Sequence, residues 1–178
     1  MKDVLLLTNN DASEGFVKEL LMCASYGKLY IAYNYSDGVY LSEVHPFDLI
    51  IINAPLRTEV GDRFAKYVAL HTTAEVLFIS REALYNQHHE HLSKLGILCI
   101  KKPVVVKPFH QLIKIIEASA TMPDSAQRPI NVAKWHLIST YNITEPTAQR
   151  MLEQFAIDHE MDLYMAAEAA LAGKIEIM

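Results

Sequence analysis

Polar residues capable of chemistry stand directly behind four apolar runs in the N-terminal part of the chain. Asn9, Asn10 and Asp11 follow residues 4–8, Asn53 follows residues 48–52, Ser80 follows residues 75–79, and Lys101-Lys102-Pro103 follow residues 97–100. These groups are three amides, one carboxylate, one hydroxyl and two ammonium groups. An amide is neutral and a poor nucleophile, so Asn53 cannot attack a substrate. Asn9 and Asn10 lack the negative charge that a hard cation needs, and Asp11 supplies one carboxylate only. Lys102 is expected to hydrogen-bond the Asn53 amide oxygen, giving a polar cluster with no catalytic residue.

Other arrangements are equally sparing. His88, His89 and His91 are close in sequence, and His88 and His91 can share a helix face. A metal needs three or four converging ligands, so these histidines are expected on a surface helix and no metal site is expected. The six glycines are scattered, which excludes a glycine-rich phosphate loop. No cofactor and no enzymatic activity are expected.

The elements that would position the strand-end residues alternate. Short continuous apolar runs at 4–8, 48–52, 75–79 and 97–100 suit strands buried on both faces, and the aromatic run 28–33 adds a fifth. Between them, Phe16, Val17, Leu20 and Leu21, then Ala65, Val68 and Ala69, then residues 84–95 stopped by Gly96, show helical spacing. Residues 109–116 form a last helix, with Leu112, Ile113 and Ile116 inward. Strands alternating with helices predict a parallel α/β sheet covered on both sides. In such sheets, chemistry gathers beyond the carboxyl ends of the strands.

Residues 118–129 carry Ser119, Thr121, Pro123, Asp124, Ser125 and Pro129 without apolar period, the pattern of a linker or hinge. Beyond it, Ile130, Ala133, Leu137, Ile138 and Tyr141 recur at helical spacing. Ala148, Met151, Leu152, Phe155 and Ala156 repeat it, as do Leu163, Ala166, Ala167, Ala170 and Leu171. Thr144 and Asp162 are placed as N-caps and Gly173 as a stop. Three short amphipathic helices are not stable alone, so they must form a small bundle.

The 178 residues suffice for a medium domain and a small appendage, without disulfides. Cys23 and Cys99 sit in apolar surroundings and are expected as buried thiols. No signal-peptide pattern or membrane-length apolar run is present, so a cytoplasmic protein is expected. The net charge is −5 and is uneven: residues 1–123 hold 12 Lys+Arg against 13 Asp+Glu, and residues 124–178 hold 4 against 8. Recognition of nucleic acid through bulk positive charge is excluded.

Over residues 2–117 the strand-end pattern resembles the response-regulator receiver domain, in which an acidic pair, an aspartate, a Ser or Thr and a Lys-Pro follow successive strands. Ser80 and Lys102-Pro103 match. Asn9-Asn10 fall on the acidic pair and Asn53 on the phosphoacceptor. The resemblance implies a flavodoxin-like, five-stranded parallel sheet, with a pocket that does not take up phosphate in the usual way.

Residues 130–171 resemble the ANTAR domain, an RNA-binding output module. The match lies in Ala133-Lys134, Leu137-Ile138, the stretch from Tyr141 to Glu145, Ala148, Arg150, Leu152, Ala156, Leu163, Ala166 and Ala167. Glu153 and Gln154 stand where that family usually has further basic residues. The resemblance implies binding to paired stem-loops in leader transcripts, by a homodimer, in transcription antitermination. Lys134 and Arg150 would meet phosphates, Ala133 and Ala148 would admit close approach of RNA, and Tyr141 or Trp135 would stack a base. The expected organisation is a receiver-like domain at 1–117, a linker at 118–129 and a three-helix module at 130–178. The alternative is a degenerate response regulator that binds a regulatory protein partner and no RNA.

Overall fold

The computed structural model describes residues 2–22, 24, 26–119 and 127–175. Strands and helices alternate: β1 Lys2–Leu7, α1 Ala12–Leu21, β2 Tyr26–Ala32, α2 Tyr35–Val44, β3 Leu49–Asn53, α3 Asp62–His71, β4 Glu75–Ser80, α4 Glu82–Lys94 and β5 Leu98–Lys101. The helices α5 Val106–Ser119, α6 Gln127–Tyr141, α7 Glu145–Asp158 and α8 Leu163–Leu171 follow. All strand pairs are parallel, in the order β2-β1-β3-β4-β5. Among the described residues no helix is long and apolar enough to cross a membrane.

The described chain divides into two compact units, with the boundary between Val104 and Val105. The sequence pattern placed that boundary after residue 117; the difference is α5. This helix packs against α6 and α7, and its Ile115 belongs to the same apolar core as Ile130, Leu137, Ala148, Leu152 and Ala170. The second unit therefore has four helices where three were expected. Of the expected linker, residues 118 and 119 continue α5, and 127–129 already belong to α6, with Pro129 accommodated in its opening turn. Residues 120–126 lie outside the described residues.

In the first unit the sheet is apolar on both sides. Leu5, Leu7, Ile50, Ile52, Val76, Phe78 and Cys99 share one core with Phe64, Ala65 and Val68 of α3 and Leu92 of α4. Their alternating neighbours Val4, Leu6, Leu49, Ile51, Leu77, Ile79, Leu98 and Ile100 are buried as well. This explains why four strands read as unbroken apolar runs. β2 and β5 are the two edge strands, and β2 is half exposed and carries Lys28. Burial pushes the Cys99 thiol up to about 12, so it stays protonated; Cys23 lies outside the described residues.

Helix α2 had no counterpart in the sequence pattern, because its only buried residue is Gly38. A Cβ there would come within 2.9 Å of Phe64 Cε2 and 3.0 Å of Leu7 Cδ2. The helix is held at a distance that only glycine permits. Gly38→Val is expected to lower stability by about 2 kcal/mol through overpacking, read as a lower urea midpoint at unchanged m-value.

Candidate functional site

Strand register brings the polar residues of the first unit together. Leu7 pairs with Ile52 and Asn53 with Ile79, so Thr8 and Asn53 emerge side by side, with Ser80 one strand over. Asn53 is the last residue of β3 and Ser80 the last of β4.

The amides bind one another. Asn53 Nδ2 donates to Ser13 Oγ at 2.7 Å and to Thr8 Oγ1 at 3.3 Å. Ser13 donates both its hydroxyl and its backbone N–H to Asn10 Oδ1, each at 3.1 Å. Asn10 Nδ2 in turn donates to Asn9 Oδ1 at 2.7 Å. Ser13 is the member that the motif reading missed. Its signal was local: an Asn three residues ahead of a Ser at a helix start is a capping pattern. Asn10, rather than Asp11 at the N-cap position, supplies the side-chain oxygen that caps the opening turn of α1.

Asp11 is turned elsewhere. Its carboxylate accepts from the Tyr33 hydroxyl, and that bond raises the phenol above its ordinary range. Arg57 lies over the Tyr33 ring at 5.2 Å and donates to the Asn9 carbonyl at 3.0 Å. A hard divalent cation does not fit here: the three strand-end amides carry no charge, and the nearby Asp11 carboxylate is engaged by a phenol.

The expected bond between Lys102 and the Asn53 side chain is not formed. Lys102 Nζ donates to the backbone carbonyl of Ala54, one residue further, at 3.0 Å. The backbone N–H of Lys102 is tied to the Ser80 carbonyl at 2.8 Å, and the Lys102-Pro103 peptide is cis. Half-burial, with Arg81 nearby, lowers the Lys102 pKa. Ser80 is fully buried, and its Oγ has no hydrogen-bond partner. The pocket is thus a neutral network beside a partly desolvated ammonium.

In the second unit, the residues matched to an RNA surface are mostly interior. Ala133 and Ala148 are both fully buried in the helical core, so they form helix contacts rather than open ground for RNA. Lys134 is 3% exposed and pairs with Glu145 Oε1 at 2.9 Å; the expected phosphate contact is instead an internal ion pair between α6 and α7. Tyr141 is half-buried and donates its hydroxyl to the Ile175 carbonyl at 3.0 Å. Trp135 packs partly buried against the same core. Arg150 is exposed and donates within its own helix, to the Pro146 carbonyl at 3.3 Å.

Comparison with solved structures assigns the architecture. The chain is similar to the non-phosphorylated HemR receiver domain from Leptospira biflexa (21% identity, TM-score 0.55, covering 65% of this chain and 94% of that one). It is similar to the chemotaxis response regulator CheY4 of Vibrio cholerae (18%, 0.54, 65% and 98%). A two-component response regulator from Clostridium difficile matches at 17% and 0.59, over 67% and 98%. The chain carries the receiver fold, and the matched two thirds of the chain is longer than the first unit. No family model and no curated protein matches the chain. In this fold Asn53 and Ser80 end β3 and β4, and Lys102 directly follows the last residue of β5.

The two cations of the helical unit should respond differently to truncation. Lys134→Ala strands Glu145 and is expected to cost about 3–5 kcal/mol of stability. Arg150→Ala should stay within about 0.5 kcal/mol of the parent. Thermal or urea unfolding of both variants checks the contrast.

Proposed function

We propose that this chain is a signalling regulator of the response-regulator type, not an enzyme, that switches without phosphoryl transfer and acts as a homodimer on RNA in transcription antitermination. The observation that carries the first part is the hydrogen-bonded chain from Asn53 through Ser13 and Asn10 to Asn9. It leaves neither a carboxylate nucleophile nor a cation cage at the β3 terminus. RNA binding rests on the motif of residues 130–171 and on Arg150, which is exposed. The target would be paired stem-loops in a leader transcript. Lys134, Ala133 and Ala148 would then act by fixing α6 against α7 rather than by touching the nucleic acid.

A second reading, a regulator that binds a protein partner and no RNA, is favoured by one specific feature. Ala133, Lys134 and Ala148, assigned to RNA contact, are interior, and residues 124–178 carry 4 Lys+Arg against 8 Asp+Glu. Phosphate contacts weaken steeply with salt, so a two-hairpin RNA titrated at roughly 50 mM salt gives binding its best case. On the first reading, the parent binds, and Arg150→Ala weakens binding to all stem-loop sequences alike and reduces the salt slope by about 1. Absence of binding at low salt selects the protein partner. Incubation with acetyl phosphate and Mg²⁺ should leave the intact mass unchanged; a phosphoryl adduct, at Asp11 for instance, overturns the switching proposal.

A further inference from the structure

His88 corrects the expectation of a surface histidine cluster. It is 9% exposed, and neither ring nitrogen has a hydrogen-bond partner. A buried donor or acceptor left unsatisfied is costly, and an imidazole lone pair held away from water is a strong metal ligand. His91, one turn on, has its Nε2 buried and unpartnered as well. The two rings stand 5.3 Å apart at 69°, so they present edges rather than stacked faces. Asp62, in the first turn of α3, brings its Oδ2 to 4.0 Å from His88 Nδ1. One ligand atom from each of the three residues lies within 4.8 Å of the other two. His89 turns away: it stacks on Tyr85 and holds its Nδ1 at 2.9 Å from the Tyr85 carbonyl.

We propose that Asp62, His88 and His91 form a binding site for a divalent transition-metal ion of the zinc class, clipping α3 to α4. Two imidazoles and one carboxylate are a donor set for zinc, with the fourth position left to water. The nitrogens select against magnesium and calcium, which prefer oxygen-only shells. Bonds of about 2.0–2.1 Å in a tetrahedron place ligand atoms roughly 3.4 Å apart. The three side chains therefore need to close by about 1 Å, which small side-chain rotations supply. Phe78, with its ring 6.4 Å from that of His88, walls the inner side. Lys66 is the built-in competitor: its Nζ sits on Asp62 Oδ2 at 3.0 Å. Its side chain is 41% exposed and is free to swing into solvent when the ion replaces it as the countercharge.

The full-length chain is titrated with Zn²⁺ by calorimetry and with Co²⁺ by visible absorption. The expected result is one strong equivalent, with Co²⁺ bands of a four- or five-coordinate nitrogen–oxygen site. His91→Gln and Asp62→Asn, at partly exposed positions where folding should survive, each weaken Zn²⁺ binding by roughly tenfold or more. His89→Gln leaves it unchanged, and Lys66→Met tightens it. Failure of the parent to bind Zn²⁺, or undiminished affinity in both His91→Gln and Asp62→Asn, overturns the proposal. So does loss of binding in His89→Gln.

Discussion

A parallel sheet buried on both faces leaves polar side chains nowhere to stand except at the strand ends. In this chain the constraint is severe. The residues from Val4 to Leu7, from Leu49 to Ile52 and from Val76 to Ile79 are at most 2% exposed, whichever face they point to. Polar atoms first enter at Thr8, Asn53 and Ser80, all at the same end because the strands are parallel. The pocket is therefore a consequence of how the sheet is buried, and its contents are the part of the sequence free to vary without disturbing the core.

What fills the pocket is internally coupled. The hydrogen bonds run in one direction, from the Asn53 amide to the Ser13 hydroxyl, on to Asn10, while Asn10 donates separately to Asn9. A carboxylate at position 53 would offer no donor to Ser13. Ser13 would have to donate to it instead, leaving Asn10 without that hydroxyl. The amides at 9, 10 and 53 thus depend on one another through a residue outside the motif, and a change at any one reorients its neighbours. Lys102 stands apart from this chain. It satisfies itself on the Ala54 backbone, which holds the ends of β3 and β5 together whatever occupies position 53.

The features legible in the sequence were those that burial writes into residue type. The four apolar strands and the strand-end residues followed from run length and interruption. Helix α2 was not legible, since its one fully buried position is Gly38, and Tyr35, Val39 and Leu41 meet the core only partly buried, which leaves a weak stripe to read. Helix α5 was found, but not its association with α6 and α7, because an amphipathic stripe does not name its partner. Ser13 is a common residue at a helix start, and its role in the pocket comes from Asn53 meeting it across 40 residues of chain. The charged residues were misread most. A lysine is almost never fully buried unless paired, so Lys134 was assigned to the surface, and its partner Glu145 lies 11 residues away in the next helix.

That ion pair is central to the second unit. Glu145 receives Lys134 on its side chain, donates its backbone N–H to Gln111 Oε1 at 3.2 Å, and lies in the first turn of α7, where a carboxylate complements the helix dipole. One residue thereby links α5, α6 and α7 through directional contacts, whereas the alanines around them, Ala133 and Ala148, fix only the separation. Apolar packing alone would tolerate sliding of one smooth, alanine-lined helix along another. A buried pair with a single geometry does not, since any shift strands a charge. The lysine that resembles a nucleic-acid contact thus serves the alignment of helices, through its pair with Glu145.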